Sequence, residues 1–203
     1  MSETFLVTGF EPFKEHRTNS SWDALELLRE SWPDDITALR LPVDYHRAHE
    51  ALREALAKLQ PRAVLCTGLA KGRVFRIERH ARRPEALARE VGEALAEGRW
   101  PWHEMRRELE AAGVPTVDST DAGQYVCEST YWSLLTYSVT ESRIPEGGFA
   151  PARGSAPKFA AFLHVPPASE EQPLTLIARA VGGVIQARYS ATANRTSEEP
   201  VAS

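Results

Sequence analysis

The chain has 203 residues, 42% of them apolar and 26% charged, enough to bury one core under a solvated surface. Its formal charge of −4 excludes the basic footprint of a nucleic-acid binder, and no apolar run reaches the roughly 18 residues that cross a bilayer. The two cysteines do not make a disulfide framework and the N-terminus has no signal-peptide pattern, so the expected setting is the reducing cytoplasm, with both thiols free.

Residues 4–10, TFLVTGF, are a short apolar, β-branched run and predict a buried strand leading into a loop. Asn19, Ser20 and Ser21 are cap residues for a helix over 21–32. ITALRLPV predicts a second strand. The segment 44–59 predicts an amphipathic helix with Ala48, Leu52, Ala55, Leu56 and Leu59 on one face. RAVLCTG is a third strand, uniformly apolar as expected when both faces are covered. Strand, helix, strand, helix, strand argues for an α/β sheet with helices on both sides.

GRVFRIER predicts a short, partly exposed strand, and residues 84–98 carry a helical period. A better helix follows over 102–113, stopped by Gly113, and then a short strand over 114–119. Residues 122–139 predict the helix that carries Cys127, and the glycine- and proline-rich 141–157 a long loop. KFAAFLHV predicts a buried strand ending near His164, and 173–191 the last helix. The domain is expected over 1–192, with 193–203 a disordered tail.

Ligands of open α/β sheets bind outside the carboxyl ends of the strands. TGFEPF, CTGLAKGR and FLHVPP stand at such ends, and Glu78 and Cys127 lie on neighbouring segments. A cysteine, a histidine and a carboxylate can therefore converge on one rim, in the chain order Glu78, Cys127, His164. A free thiol titrates near about 8.5, and a helix N-terminus adds roughly half a positive charge that favours thiolate. An imidazole takes the proton, a carboxylate orients the imidazole, and first-turn N–H groups stabilise an oxyanion. Plain readings compete with each role: a free cysteine usually packs as a small hydrophobe, His164 suits a core histidine, and Glu78 suits a surface partner for Arg76 or Arg79. Cys66, inside an apolar strand, is expected to be core. His46 and His49 are spaced for a metal but lack matching ligands, so no metal is expected.

Together, TGFEPF with NSSWDAL, GLAKGR with IERHA, AGQYVC and FLHVP resemble the four ordered signatures of the pyroglutamyl peptidase I family, cysteine peptidases also called pyrrolidone-carboxylate peptidases. The resemblance runs over nearly the whole chain. It implies a single three-layer αβα sandwich with a mostly parallel sheet. It implies a homo-oligomer, dimer or tetramer, that removes N-terminal pyroglutamyl residues from peptides without metal or cofactor and has no nucleic-acid or membrane partner. It makes Cys127 the nucleophile, His164 the general base and acid, and Glu78 the orienting carboxylate. It also makes Phe10 and Phe13 the aromatic walls of the lactam slot, with Asn19, Leu69, Tyr125 and Val126 as further substrate-binding positions.

The chain departs from the family pattern at defined places. Glu128 replaces the usual Asn after the nucleophile, and Leu69 replaces a Gln that contacts the lactam. The spacing from Arg73 to Glu78 is one residue short. The Asp-Ala-Arg-Ile-Pro-Asp segment that helps cover the pocket is missing, and Arg143 and Ile144 in SRIPEGG are candidates to replace it. A carboxylate at 128 raises the thiol pKa unless it points away or is paired. Two alternatives follow: an amidohydrolase for another small acyl group, or a catalytically weak peptide-binding relative.

Overall fold

The computed structural model describes residues 4–13, 17–84, 95–123, 125–137 and 156–196. Strands β1 Phe5–Phe10, β2 Ile36–Leu41, β3 Ala63–Leu69, β4 Phe75–Glu78, β7 Thr116–Ser119 and β8 Phe159–Val165 form one six-stranded sheet. Their order across it is β2-β1-β3-β8-β4-β7. Strands β2, β1, β3 and β8 run parallel, whereas β4 is antiparallel to β8 and β7 follows β4 in parallel. A separate two-stranded hairpin joins β5, His80–Arg82, to β6, Leu95–Glu97. The helices are α1 Ser20–Leu28, α2 Tyr45–Leu59, α3 Trp102–Ala111, α4 Val126–Leu135 and α5 Leu174–Thr196.

Alternation along the central strands builds two cores. Phe5, Val7, Leu65, Ala161 and Leu163 face one side, where α1 and α3 each pack against α5. Leu6, Val64, Cys66 and Phe162 face the other, where α2 packs against α4. A sheet with helices on both faces is thus an αβα sandwich, and its central strands are apolar throughout because neither face meets water. Helix α2 follows its sequence pattern: Asp44 caps Arg47 N at 2.9 Å, and Ala48, Leu52 and Leu56 are buried. Helix α3 ends just before Gly113, whose φ of +75° is the left-handed value that glycine adopts freely. Trp100 packs edge-on against Phe5 at 6.0 Å and Phe159 at 6.4 Å, so it is a core anchor.

Four expectations change. Strand β4 is buried rather than partly exposed, with Phe75, Ile77 and Glu78 all at 0% exposure, because it lies inside the sheet between β8 and β7. The end of the segment expected as helix over 84–98 is strand β6; residues 85–94 lie outside the described residues. Helix α4 begins at Val126, four residues later than its sequence pattern, because Asp121–Gly123 make a turn in which Asp121 Oδ1 accepts Gly123 N and Gly123 has a φ of +90°. Helix α5 runs to Thr196, past the expected boundary at 192, and residues 197–203 lie outside the described residues. Among the described residues no helix is long and apolar enough to cross a membrane, and no cluster of three or more His, Cys, Asp or Glu side chains could hold a metal ion.

Candidate active site

Cys127 is the second residue of α4, and His164 is the penultimate residue of β8. Gly68 of β3 pairs in register with His164. The Cys127 sulfur sits directly over Gly68: a Cβ placed on that glycine would lie 3.0 Å from Sγ. The thiol is thereby held above the strand neighbour of the imidazole. Only a residue without a side chain leaves room for it.

Glu78 reaches the same imidazole from the other side. Strand β4 runs against β8, with Arg76 opposite His164 and Glu78 opposite Phe162. Residues 76 and 78 share one face, so Glu78 reaches diagonally and Oε1 lies 2.8 Å from His164 Nδ1. The carboxylate is fully buried, which excludes the surface-partner role. The Phe162 ring packs against the His164 ring at 4.8 Å and against Tyr131 at 5.6 Å. Tyr131, one helical turn beyond Cys127, donates its hydroxyl to the Glu78 carbonyl at 3.0 Å and ties the cysteine helix to the strand of the carboxylate. Sequence reasoning missed Tyr131 and Gly68; the signal for Tyr131 was its i+4 spacing from Cys127.

Burial pushes the Cys127 thiol up to about 12, with further upward contributions from Cys66, Glu78 and Glu128 and a downward one from its own backbone N–H. Burial thus favours the protonated thiol in the resting site. Cys66 is fully buried in β3, as its sequence context predicts, and burial pushes its thiol up to about 12 as well.

Of the expected pocket residues, Phe10 and Val126 join the apolar cluster against which Cys127 packs. Leu69 ends β3 opposite Val165 and is half-buried, as is Phe13 after β1. Tyr125 is 67% exposed. Asn19 is the N-cap of α1: Oδ1 accepts Ser21 N at 3.1 Å and Ser21 Oγ at 2.8 Å, and Nδ2 donates to the Glu11 carbonyl at 3.0 Å. Ser21 Oγ in turn accepts Phe10 N at 3.1 Å. Asn19 thus fixes the loop that follows Phe10. Arg143 and Ile144 lie outside the described residues.

Glu128 is buried, and its carboxylate accepts the backbone N–H of Arg82 in β5, so the residue beside the thiol is paired with the hairpin. Burial pushes Glu128 up to about 7, against a downward pull from the Arg82 N–H. A carboxyl whose folded pKa is raised binds its proton more tightly in the folded state, so its favourable contribution is complete below the unfolded pKa and is lost as pH rises through about 7. Glu128→Gln keeps the acceptor and removes the ionisation. It is expected to raise the melting temperature at pH 8 by about 3 °C, on the order of 1 kcal/mol after solvent screening. The gap should close below about pH 4.5, the unfolded-state value. Thermal melts of both proteins at pH 4 and pH 8 check this, and a gap that persists at pH 4 would contradict it.

The fold is one already known. A pyrrolidone carboxyl peptidase from Thermococcus litoralis superposes with a TM-score of 0.74 at 21% identity, over 95% of this chain and 96% of its own. The pyroglutamyl peptidase I of Bacillus amyloliquefaciens gives 0.72 at 23% identity, over 93% of this chain and 96% of its own. A family model described as pyroglutamyl peptidase matches residues 3–94. The pyrrolidone-carboxylate peptidase of Clavibacter michiganensis is 31% identical over 185 residues, covering 83% of this chain and 80% of the relative. That of Bacillus subtilis is 32% identical over 166 residues, covering 73% and 77%. The chain belongs to the pyroglutamyl peptidase family and is a peptidase.

Proposed function

We propose that the protein is a cysteine exopeptidase that releases N-terminal pyroglutamate from peptides through a thioester, with Cys127, His164 and Glu78 as its triad. The observation that carries this reading is the placement of the Cys127 sulfur over Gly68, the strand neighbour of an imidazole whose Nδ1 lies 2.8 Å from buried Glu78. With Nδ1 held by the carboxylate, Nε2 is the nitrogen left to serve the thiol.

His164 takes the thiol proton as the sulfur attacks the pyroglutamyl carbonyl carbon. With burial favouring the protonated thiol, this transfer accompanies attack. First-turn N–H groups of α4 face the developing oxyanion, as orphan donors at a helix start can. Collapse of the tetrahedral adduct expels the peptide amine, which receives the proton from His164 and leaves a thioester. Water, deprotonated by His164, then adds to the thioester carbonyl, pyroglutamate leaves, and the thiol regains its proton. Phe10 and Val126 line the apolar side of the slot, with Phe13, Leu69 and Tyr125 around its mouth and Asn19 holding the loop.

The fluorogenic pyroglutamyl amide should be cleaved with a kcat/KM at least about 100-fold above the prolyl, glutaminyl and acetyl amides, because only the first offers a lactam carbonyl and N–H to a site shaped for them. A preference for another acyl group would overturn the substrate assignment while leaving the triad in place.

A further inference from the structure

The geometry points to Arg76 as a positioning residue that ties the His164–Glu78 pair to the segment delivering Cys127. This inference rests on the triad reading above. Arg76 lies opposite His164 in the antiparallel register of β4 and β8. Its Nε lies 3.3 Å from Glu78 Oε1, the same oxygen that meets His164 Nδ1 at 2.8 Å. One carboxylate oxygen thus takes both partners, and Glu78 Oε2 has no hydrogen-bond partner among the described residues.

The other end of the guanidinium grips the approach to α4. Nη2 donates to Ser119 Oγ at 2.9 Å and to the Asp121 carbonyl at 3.3 Å. Asp121 opens the 121–123 turn that precedes Tyr125, the N-cap of the cysteine helix. Ser119 Oγ also receives Asp121 N at 3.3 Å, so the turn and the guanidinium share an anchor. A single side chain therefore spans the triad carboxylate and the loop entering the nucleophile helix. Lysine, with one compact ammonium, cannot occupy both ends of that span.

The guanidinium also supplies the positive charge that faces the Glu78 carboxylate. The ionisable groups of α4 that interact with Glu78 are Cys127, Glu128 and Tyr131; Arg82 and Asp121 in turn face Glu128, and Arg79, Arg99 and Cys66 face Tyr131. Arg79 is turned towards Asp118 and lies over Trp102, and Arg82 pairs with Asp121. Among the described cations, Arg76 is the one within 4 Å of the Glu78 carboxylate.

The test reads the pair directly. In protein labelled at its histidines, the ring resonances of His164 are recorded in wild type, Arg76→Gln and Arg76→Lys, with kcat and KM on the pyroglutamyl amide in parallel. Arg76→Gln is expected to shift the His164 resonances and to lower kcat by about tenfold or more with KM within about twofold of wild type. Arg76→Lys should bring the resonances back towards the wild-type position while kcat stays about tenfold low, because the charge on Glu78 returns without the grip on Ser119 and Asp121. A loss of packing alone lowers stability without this split between the two variants. Arg76→Met keeps the stem on the strand and removes the same charge, and gives a second reading should Arg76→Gln fail to fold. Unmoved His164 resonances in the uncharged variant overturn the assignment. If the wild type does not cleave pyroglutamyl amides, the peptidase reading fails, while the His164 resonances still decide the role of Arg76.

Discussion

Cys127→Ala is expected to lower kcat/KM on the pyroglutamyl amide by about 10⁴-fold or more, with the fold and the melting temperature nearly intact. The size follows from the route: without sulfur there is no acyl-enzyme, and His164 with Glu78 is left to activate water against an unactivated amide. The stability change is small because alanine fits the same first turn of α4. Substrate affinity should persist, since the apolar cluster containing Phe10 and Val126 is untouched. Rate assays, calorimetric binding of pyroglutamate and thermal melts on the one variant separate these effects. Activity within tenfold of wild type would sink the thioester route, whatever the binding result. His164→Ala should be as severe if His164 is the base proposed above, because burial favours the protonated thiol and the attack then needs a proton acceptor.

Much of this arrangement was legible in the sequence. Strands β1, β3 and β8 are apolar on both faces, and that uniform pattern identifies them without reference to neighbours. Strand β4 was harder because Arg76 and Glu78 interrupt its hydropathy. The two charges share a face and satisfy each other, so a segment that looks half-solvated lies inside the sheet. Its antiparallel direction follows from the short link 70–74 after β3, which carries no crossover helix. Strands β5 and β6 span three residues each, too short for any period to show. The signatures singled out Cys127, His164 and Glu78, and the structure puts His164 and Glu78 in hydrogen-bond contact, but the direction of Glu128 left no mark in the sequence. Whether it faces the thiol or the hairpin depends on where the Arg82 N–H stands, a tertiary fact 46 residues away. Gly68 was hidden for a related reason: a glycine closing a strand looks like ordinary punctuation until the sulfur above it is seen.

That glycine yields the second large effect. Gly68→Ala adds one methyl group, and the backbone tolerates it, since Gly68 is absent from the positive-φ glycines of the described chain. The new Cβ would stand 2.8 Å from Phe162 Cζ, 2.9 Å from its Cε1 and 3.0 Å from Cys127 Sγ. Phe162 is fully buried between Tyr131 and His164, so it cannot yield without moving the imidazole. The sulfur can yield, but only by leaving its place over the strand neighbour of His164. Either relaxation separates the thiol from its base, and a displacement of about 1 Å at a reacting group costs on the order of 100-fold in rate. Overpacking adds about 1–3 kcal/mol of destabilisation, roughly 3–10 °C at this chain length. Gly68→Ala should therefore fold, melt lower than Cys127→Ala, and show a kcat about 100-fold below wild type with KM little changed. A variant with wild-type kcat would mean that the sulfur does not work from the position over Gly68, and the triad geometry would have to be redrawn.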